Sequence, residues 1–211
     1  MTTDALLDVY VSGSPNGQRA IIVLEEMELH YNLHFLDLVA GDQHRADYLA
    51  INPHGRIPCL VDRSAQTPVT VTQSWMICLY LAEKTGRFLP NDPLGRIRAT
   101  EWLFHVATDV MSLHSTHGAL ARHAPDCPPA TIQWAEDRVR DALTYLDTRL
   151  ARNDFLAGDL SVADLALYPI YNRRRELAAR HGMNNLARWG NAMDRRPGCQ
   201  RALAIIRENL P

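Results

Sequence analysis

The residues best suited to chemistry lie in Asn52-Pro53-His54-Gly55-Arg56-Ile57-Pro58-Cys59-Leu60-Val61-Asp62 and, shortly after, in Thr72-Gln73-Ser74-Trp75. The order reads as a loop, an X-Pro turn, a short apolar strand and then the start of an amphipathic helix. At Ile57-Pro58 a cis peptide costs little, because proline cuts the trans preference to roughly 0.5–1 kcal/mol. A cis bond there turns the backbone of Ile57 outward, so that its N–H and C=O can pair with an extended peptide. Free N–H groups at the helix start near Ser74 suit a carboxylate. Together these groups predict a site for a small anionic peptide.

A second cluster, Ser14-Pro15-Asn16-Gly17, falls where a first strand turns into a first helix. The helix dipole and the backbone N–H groups of Gly17 and Gln18 favour an anion at that point. Neither Ser14 nor Asn16 is a useful base at neutral pH, so their chemistry would be hydrogen-bond donation. The same four residues also make a good turn and N-cap with no further role, which is what such sets usually are. Further along, His105, Thr108, Met111, Ser112 and Ser115 follow a spacing that shares one helix face, and that face fits an ordinary helix surface as well as a substrate wall. His114, His117 and His123 lack a carboxylate or fourth ligand in a recognisable signature, so no metal site is expected.

Those residues need elements to hold them. In the first eighty-odd residues, Leu7 to Ser12, Leu33 to Leu38, Cys59 to Val61 and Pro68 to Val71 read as strands. Gln18 to Met27, Arg45 to Ala50 and Trp75 to Glu83 read as helices from their apolar spacing. The order βαβαββα predicts a thioredoxin-like domain over residues 1–86. Leu89-Pro90-Asn91-Asp92-Pro93 reads as a linker, with its boundaries set at 87–92. Residues 93–211 carry helical periodicity throughout, broken near Pro125 to Pro129, Asn153 to Gly158, His181 to Asn185 and Arg196 to Gly198, which predicts an all-helical C-terminal domain. The fold class is thus α/β plus all-α. Within the second domain, Ser161 and Asp164 form a capping box with Leu160 and Leu165 as a hydrophobic staple, a folding signal rather than a site. Arg173-Arg174-Arg175 reads as a solvated basic cluster complementing a helix end.

Composition narrows the functions open to such a chain. At 211 residues and 46% apolar content it can bury sizeable cores. With 22 Lys plus Arg against 24 Asp plus Glu, for a formal charge of −2, nucleic acid and anionic membranes are not expected partners. Four scattered cysteines, Cys59, Cys78, Cys127 and Cys199, form no Cys-x-x-Cys pair, so they read as free thiols of a reducing cytoplasm. Met1-Thr2-Thr3-Asp4 does not open a signal peptide, and no apolar run approaches the roughly 20 residues of a membrane span. A cytoplasmic protein is expected.

The cis-proline stretch, the Gln73-Ser74 helix start and the Ser14 turn together resemble the cytosolic glutathione transferase superfamily, over nearly the whole chain. Ser14-Pro15-Asn16-Gly17, His30-Tyr31-Asn32 and Gly41-Asp42-Gln43-His44-Arg45-Ala46 are most similar to its nu-class and Ure2p-like branch. The resemblance implies glutathione as co-substrate and no metal. It also implies thiolate stabilisation by Asn16, with Ser14 beside it. The tripeptide's glycyl end falls to His44 and Arg56, its cysteinyl unit to the Ile57 backbone, and its γ-glutamyl end to Gln73 and Ser74. A small electrophile or a disulfide would meet the thiolate beside His105, Thr108, Met111 and Ser112. The implied activity is transferase or glutathione:disulfide oxidoreductase chemistry, in a homodimer. Gln73 departs from the family's pattern, which has an acid there; a neutral amide forfeits the charge-assisted part of a hydrogen bond, about 1 kcal/mol. That departure keeps a rival open, a non-catalytic binding or regulatory module on the same fold.

Overall fold

A computed structural model describes residues 6–209; Met1 to Asp4, where a signal peptide was not expected, lie outside them. Four strands, β1 (Leu7–Val11), β2 (Tyr31–Phe35), β3 (Cys59–Asp62) and β4 (Val69–Thr72), form one mixed sheet in the order β2-β1-β3-β4. β1 and β2 are parallel, with Leu7 opposite Tyr31, and the other two pairs are antiparallel. Helices α1 (Pro15–Glu26), α2 (Ala46–Ile51) and α3 (Ser74–Thr85) complete the expected βαβαββα order. β2 starts two residues earlier than the apolar run suggested, because its register is set by β1; Leu36 N–H makes the next bond, to the Val11 carbonyl, at 2.8 Å.

The core of this unit is built by Val9, Val11, Ile21, Ile22, Leu24, Leu60, Ile77 and Leu81, all fully buried. α1 leaves β1 in a tight step. A Cβ on Gly17 would come within 2.1 Å of the Ser12 carbonyl oxygen, so only glycine lets the first turn of α1 approach the strand end this closely.

The remaining chain is helical: α4 (Pro93–His105), a π-helical segment Val106–Val110, α5 (Met111–His123), α6 (Pro129–Leu150), α7 (Val162–Arg180), α8 (Asn184–Asp194) and α9 (Pro197–Glu208). Two compact units result. Phe88–Met193 forms one, and the described residues up to Arg87 together with those from Asp194 form the other. The end of the chain therefore departs from the expected 93–211 domain, because α9 packs on α1. Arg196 Nη2 lies 2.5 Å from Glu26 Oε2, the Cys199 N–H donates to Glu26 Oε1 at 3.0 Å, and a Cβ on Gly198 would sit 2.8 Å from the Glu26 backbone. Periodicity marks α9 as amphipathic but does not say which surface covers its apolar face.

In the second unit the Ser161–Asp164 capping box is present. Fully buried Asp164 accepts from Leu156 N–H, Ser161 N–H and Trp189 Nε1–H at 2.9–3.0 Å. Its role is to tie a helix start to the preceding loop and to α8. No helix among the described residues is long and apolar enough to cross a membrane.

Candidate functional site

The Ile57-Pro58 bond is cis, and two adjoining hollows open at that turn, both within the first unit. One, of about 280 Å³, is lined by Asn16, Asn52, His54, Arg56, Ile57, Pro58, Thr72 and Gln73. The other, of about 530 Å³, is lined by Ser14, Asn16, Leu38, Gln43, His44, His54, Gly55, Arg56 and Ile57. Of the residues singled out from sequence in this unit, Ser14, Asn16, His44, Arg56, Ile57 and Gln73 thus converge. Asn16, Arg56 and Ile57 belong to both walls, as does His54 from the loop before the turn.

Each is held by identifiable local structure. Ser14 caps α1: its Oγ accepts the Gly17 N–H at 3.3 Å and the Ser12 hydroxyl at 3.2 Å, with Pro15 opening the helix. The expected free donors at Gly17 and Gln18 are spent inside this cap, since the Gln18 N–H bonds to the Ser14 carbonyl at 2.9 Å. The side chains of Ser14 and Asn16 are then the side-chain donors this turn can offer an anion, and both residues line the larger hollow. Asn16 Oδ1 accepts from Arg19 Nη1 at 2.8 Å. Arg56 and Ile57 are fixed through the Arg56 carbonyl oxygen, which accepts from the Tyr48 hydroxyl and from Asn52 Nδ2. Asn52 also receives the His54 N–H on Oδ1, at 3.2 Å. Tyr48 and Asn52 are both buried; sequence reasoning missed them because a tyrosine on a helix and an asparagine before a proline carry no signal of a shared target.

Gln73 precedes α3 with φ +68°, a left-handed backbone that costs a residue with a Cβ about 1 kcal/mol or more. The side chain of Ser74 is turned inward. It is buried and its Oγ accepts from Arg19 Nη1 at 2.7 Å, so what it offers a ligand is its N–H, one of the unpaired donors of the first turn.

Three of the four cysteines stand apart from this chemistry. Burial pushes the Cys59 thiol up to about 11 and the Cys78 thiol up to about 12, and raises Cys199 as well. A thiol so raised carries almost no thiolate at neutral pH.

The residues expected to face an electrophile lie in the second unit and do not share one straight stripe. The π segment adds a residue to one turn and shifts the helical phase between His105 and Met111. His105 bonds to Asp109 at 2.7 Å and packs edge-on against Trp102 and Tyr145. Thr108 folds back onto the Phe104 carbonyl at 3.0 Å. Met111 is half-buried, and Ser112 and Ser115 are exposed. The imidazoles at 114 and 117 have another partner, because Arg174 donates from Nε to His114 Nδ1 at 3.0 Å and from Nη2 to His117 Nδ1 at 2.9 Å. The Arg173–Arg175 run is therefore not simply solvated; Arg174 is half-buried, and Arg175 packs over the Tyr171 ring at 4.7 Å. Among the described residues no group of three His, Cys, Asp or Glu side chains could hold a metal ion.

Family models place the chain independently of this geometry. A model described as the glutathione S-transferase N-terminal domain matches residues 13–84, and one described as the C-terminal domain matches residues 115–197. The chain belongs to the glutathione S-transferase family. It is 32% identical to the disulfide-bond oxidoreductase YghU of Escherichia coli, over 97% of this chain and 76% of the relative. A crystal structure of the glutathione transferase YghU from Streptococcus pneumoniae, complexed with glutathione, matches with a TM-score of 0.89 at 30% identity, over 97% of this chain and 85% of that one. The glutathione transferase URE2P6 from Phanerochaete chrysosporium, in complex with oxidised glutathione, matches with a TM-score of 0.89 at 25% identity, over 99% of each chain. The branch suggested by the Ser14 and His44 motifs is the one these relatives represent.

Proposed function

We propose that this chain is a glutathione-dependent enzyme in which Asn16 stabilises the glutathione thiolate for attack on a disulfide sulfur or an electrophilic carbon. The observation that carries the reading is the convergence of Asn16, Arg56, Ile57 and Gln73 on one hollow at the cis-proline turn. The tripeptide's cysteinyl unit would pair with the Ile57 backbone, its γ-glutamyl end would meet Gln73 and the Ser74 N–H, and its glycyl end would lie toward His44 and Arg56. Free glutathione carries only a few per cent thiolate at neutral pH. Each unit by which the protein lowers that titration requires about 1.4 kcal/mol of preference for the anion, within reach of one or two charge-assisted hydrogen bonds.

Disulfide chemistry is favoured by the similarity to the disulfide-bond oxidoreductase YghU, and it asks nothing of Cys59, Cys78 and Cys199, which are buried and raised. The thiolate attacks one sulfur of a disulfide, a glutathione–sulfur bond forms as the old S–S bond breaks, and the departing thiolate takes a proton from solvent. A second glutathione then displaces the remaining thiol and leaves glutathione disulfide. No protein cysteine is needed. In this reading a homodimer works in a reducing cytoplasm, supported by the family resemblance and by four free thiols.

The test is glutathione titration by calorimetry together with ultraviolet absorbance of the bound thiolate across pH, followed by turnover of a small disulfide. Saturable binding with a thiol titrating below free glutathione is expected; in Asn16→Ala the tripeptide should still bind while the lowered titration is lost. No binding at millimolar glutathione would sink the reading and favour a non-catalytic module, the role that Gln73 in place of an acid would suit.

A further inference from the structure

Arg19 is the largest charged side chain in the core. It is fully buried on α1, one turn beyond Asn16, with its guanidinium carbon 3.6 Å from the centroid of the Trp75 ring. From that position Nη1 donates both to Asn16 Oδ1, at 2.8 Å, and to Ser74 Oγ, at 2.7 Å. One buried cation thus touches the residue assigned to the thiol and the residue that opens the helix assigned to the γ-glutamyl end.

We propose that Arg19 is a positioning residue that fixes the Asn16 amide with its oxygen inward and its Nδ2–H donors toward the hollow. The inference deepens the glutathione reading above and rests on it. A primary amide has an acceptor end and a donor end that are nearly the same shape, so an isolated asparagine presents either. A guanidinium carries donors only, so the amide end that meets it must be the oxygen. Asn16 lines both hollows, and with its amide oxygen held by Arg19 the end left for a ligand is the one that donates. A cation on the carbonyl oxygen also polarises the amide and strengthens its N–H as a donor, the cooperative effect expected where the local dielectric is low. Burial lowers the Arg19 guanidinium to about 10, which leaves it charged at neutral pH. The contact with Ser74 anchors the same cation to α3, and the face of Trp75 seats it from one side. A lysine would keep the charge but not the rigid planar fork.

The experiment compares the ultraviolet titration of glutathione bound to the wild-type protein with that of Arg19→Lys, Arg19→Met, Asn16→Ala and the double variant Arg19→Met/Asn16→Ala. Circular dichroism and thermal melts report folding. Arg19→Met should raise the titration midpoint of the bound thiol by about half a unit or more, a roughly threefold loss of thiolate preference. Arg19→Lys should fall between it and the wild type. The deciding readout is the cycle: in the Asn16→Ala background the Arg19→Met substitution should no longer move the midpoint, because its effect runs through the amide. An equal shift in both backgrounds would overturn the proposal in favour of a through-space charge or a general packing role, as would an unchanged midpoint in a folded Arg19→Met protein. If Arg19→Met does not fold, Arg19→Lys in the two backgrounds provides the same cycle. Wild-type protein that binds no glutathione would overturn the parent reading and this proposal with it, an outcome visible before any variant is compared.

Discussion

The Tyr48 hydroxyl lies 2.5 Å from the Arg56 carbonyl oxygen, so that the short helix α2 holds the residue before Ile57 in place. Asn52 Nδ2 reaches the same oxygen at 2.7 Å. Tyr48→Phe should therefore leave the carbonyl satisfied by Asn52 and cost only about 1 kcal/mol of stability, while loosening the turn enough to weaken glutathione binding a few-fold. Asn52→Ala should cost more on both counts, because it removes the donor to Arg56 and the acceptor of the His54 N–H together. Calorimetry and urea unfolding of the two variants check the order; an effect of Tyr48→Phe exceeding that of Asn52→Ala would refute it.

Gln73 combines a positive φ with a neutral amide. Gln73→Glu should tighten glutathione binding about fivefold, the equivalent of roughly 1 kcal/mol for a charge-assisted bond to the γ-glutamyl ammonium, and the gain should shrink as salt is added. Gln73→Gly should do the opposite, stabilising the fold by relieving the left-handed backbone while weakening binding. Affinity unchanged in both variants would remove Gln73 from the site.

His114 supplies a pH dependence. Burial, aided by Arg174, Arg122, Arg173 and His117, lowers its imidazolium from an ordinary 6.5 to about 4. The unfolded chain therefore binds the extra proton more readily between those values. Stability from this group is complete above about pH 6.5, falls as pH drops toward 4 and then levels off. The loss should be on the order of 1–2 kcal/mol after allowance for partial solvent access. His114→Gln, which can still accept from Arg174, should flatten the slope of unfolding free energy between pH 7 and 5. A parallel slope in both proteins would place the dependence elsewhere.

How much of this was legible in the sequence differs by residue. The cis-proline turn, the Ser14 cap and the Ser161–Asp164 box rest on local chemistry, and local chemistry is what neighbouring residues encode. Arg19 was not legible, because an arginine inside the periodic run of α1 looks like a solvated position until α3 brings Ser74 and Trp75 onto it beside Asn16. The same holds for α9, whose apolar period gives no hint that it packs on α1 with Glu26 accepting the Cys199 N–H. The phase of His105 relative to Met111 depended on a π turn, and an inserted residue in a helix leaves no mark in the hydrophobic period of so short a stretch.

Thiol chemistry offers the sharpest division between the glutathione reading and one that uses a protein cysteine. Cys59, Cys78 and Cys199 are buried, and burial raises each thiol; Cys127 is the half-exposed one, on the loop between α5 and α6. Iodoacetamide at neutral pH should therefore label Cys127 first, with disulfide turnover unchanged, since the reacting sulfur belongs to glutathione. Peptide mass spectrometry sampled alongside the activity assay follows both quantities at once. Turnover lost in step with labelling of Cys59, the cysteine directly after the cis-proline, would instead assign the chemistry to the protein's own sulfur. Retained turnover in Cys59→Ser would then be the result needed to return it to glutathione, because that variant keeps the size of the side chain while removing the sulfur that directly follows the cis-proline.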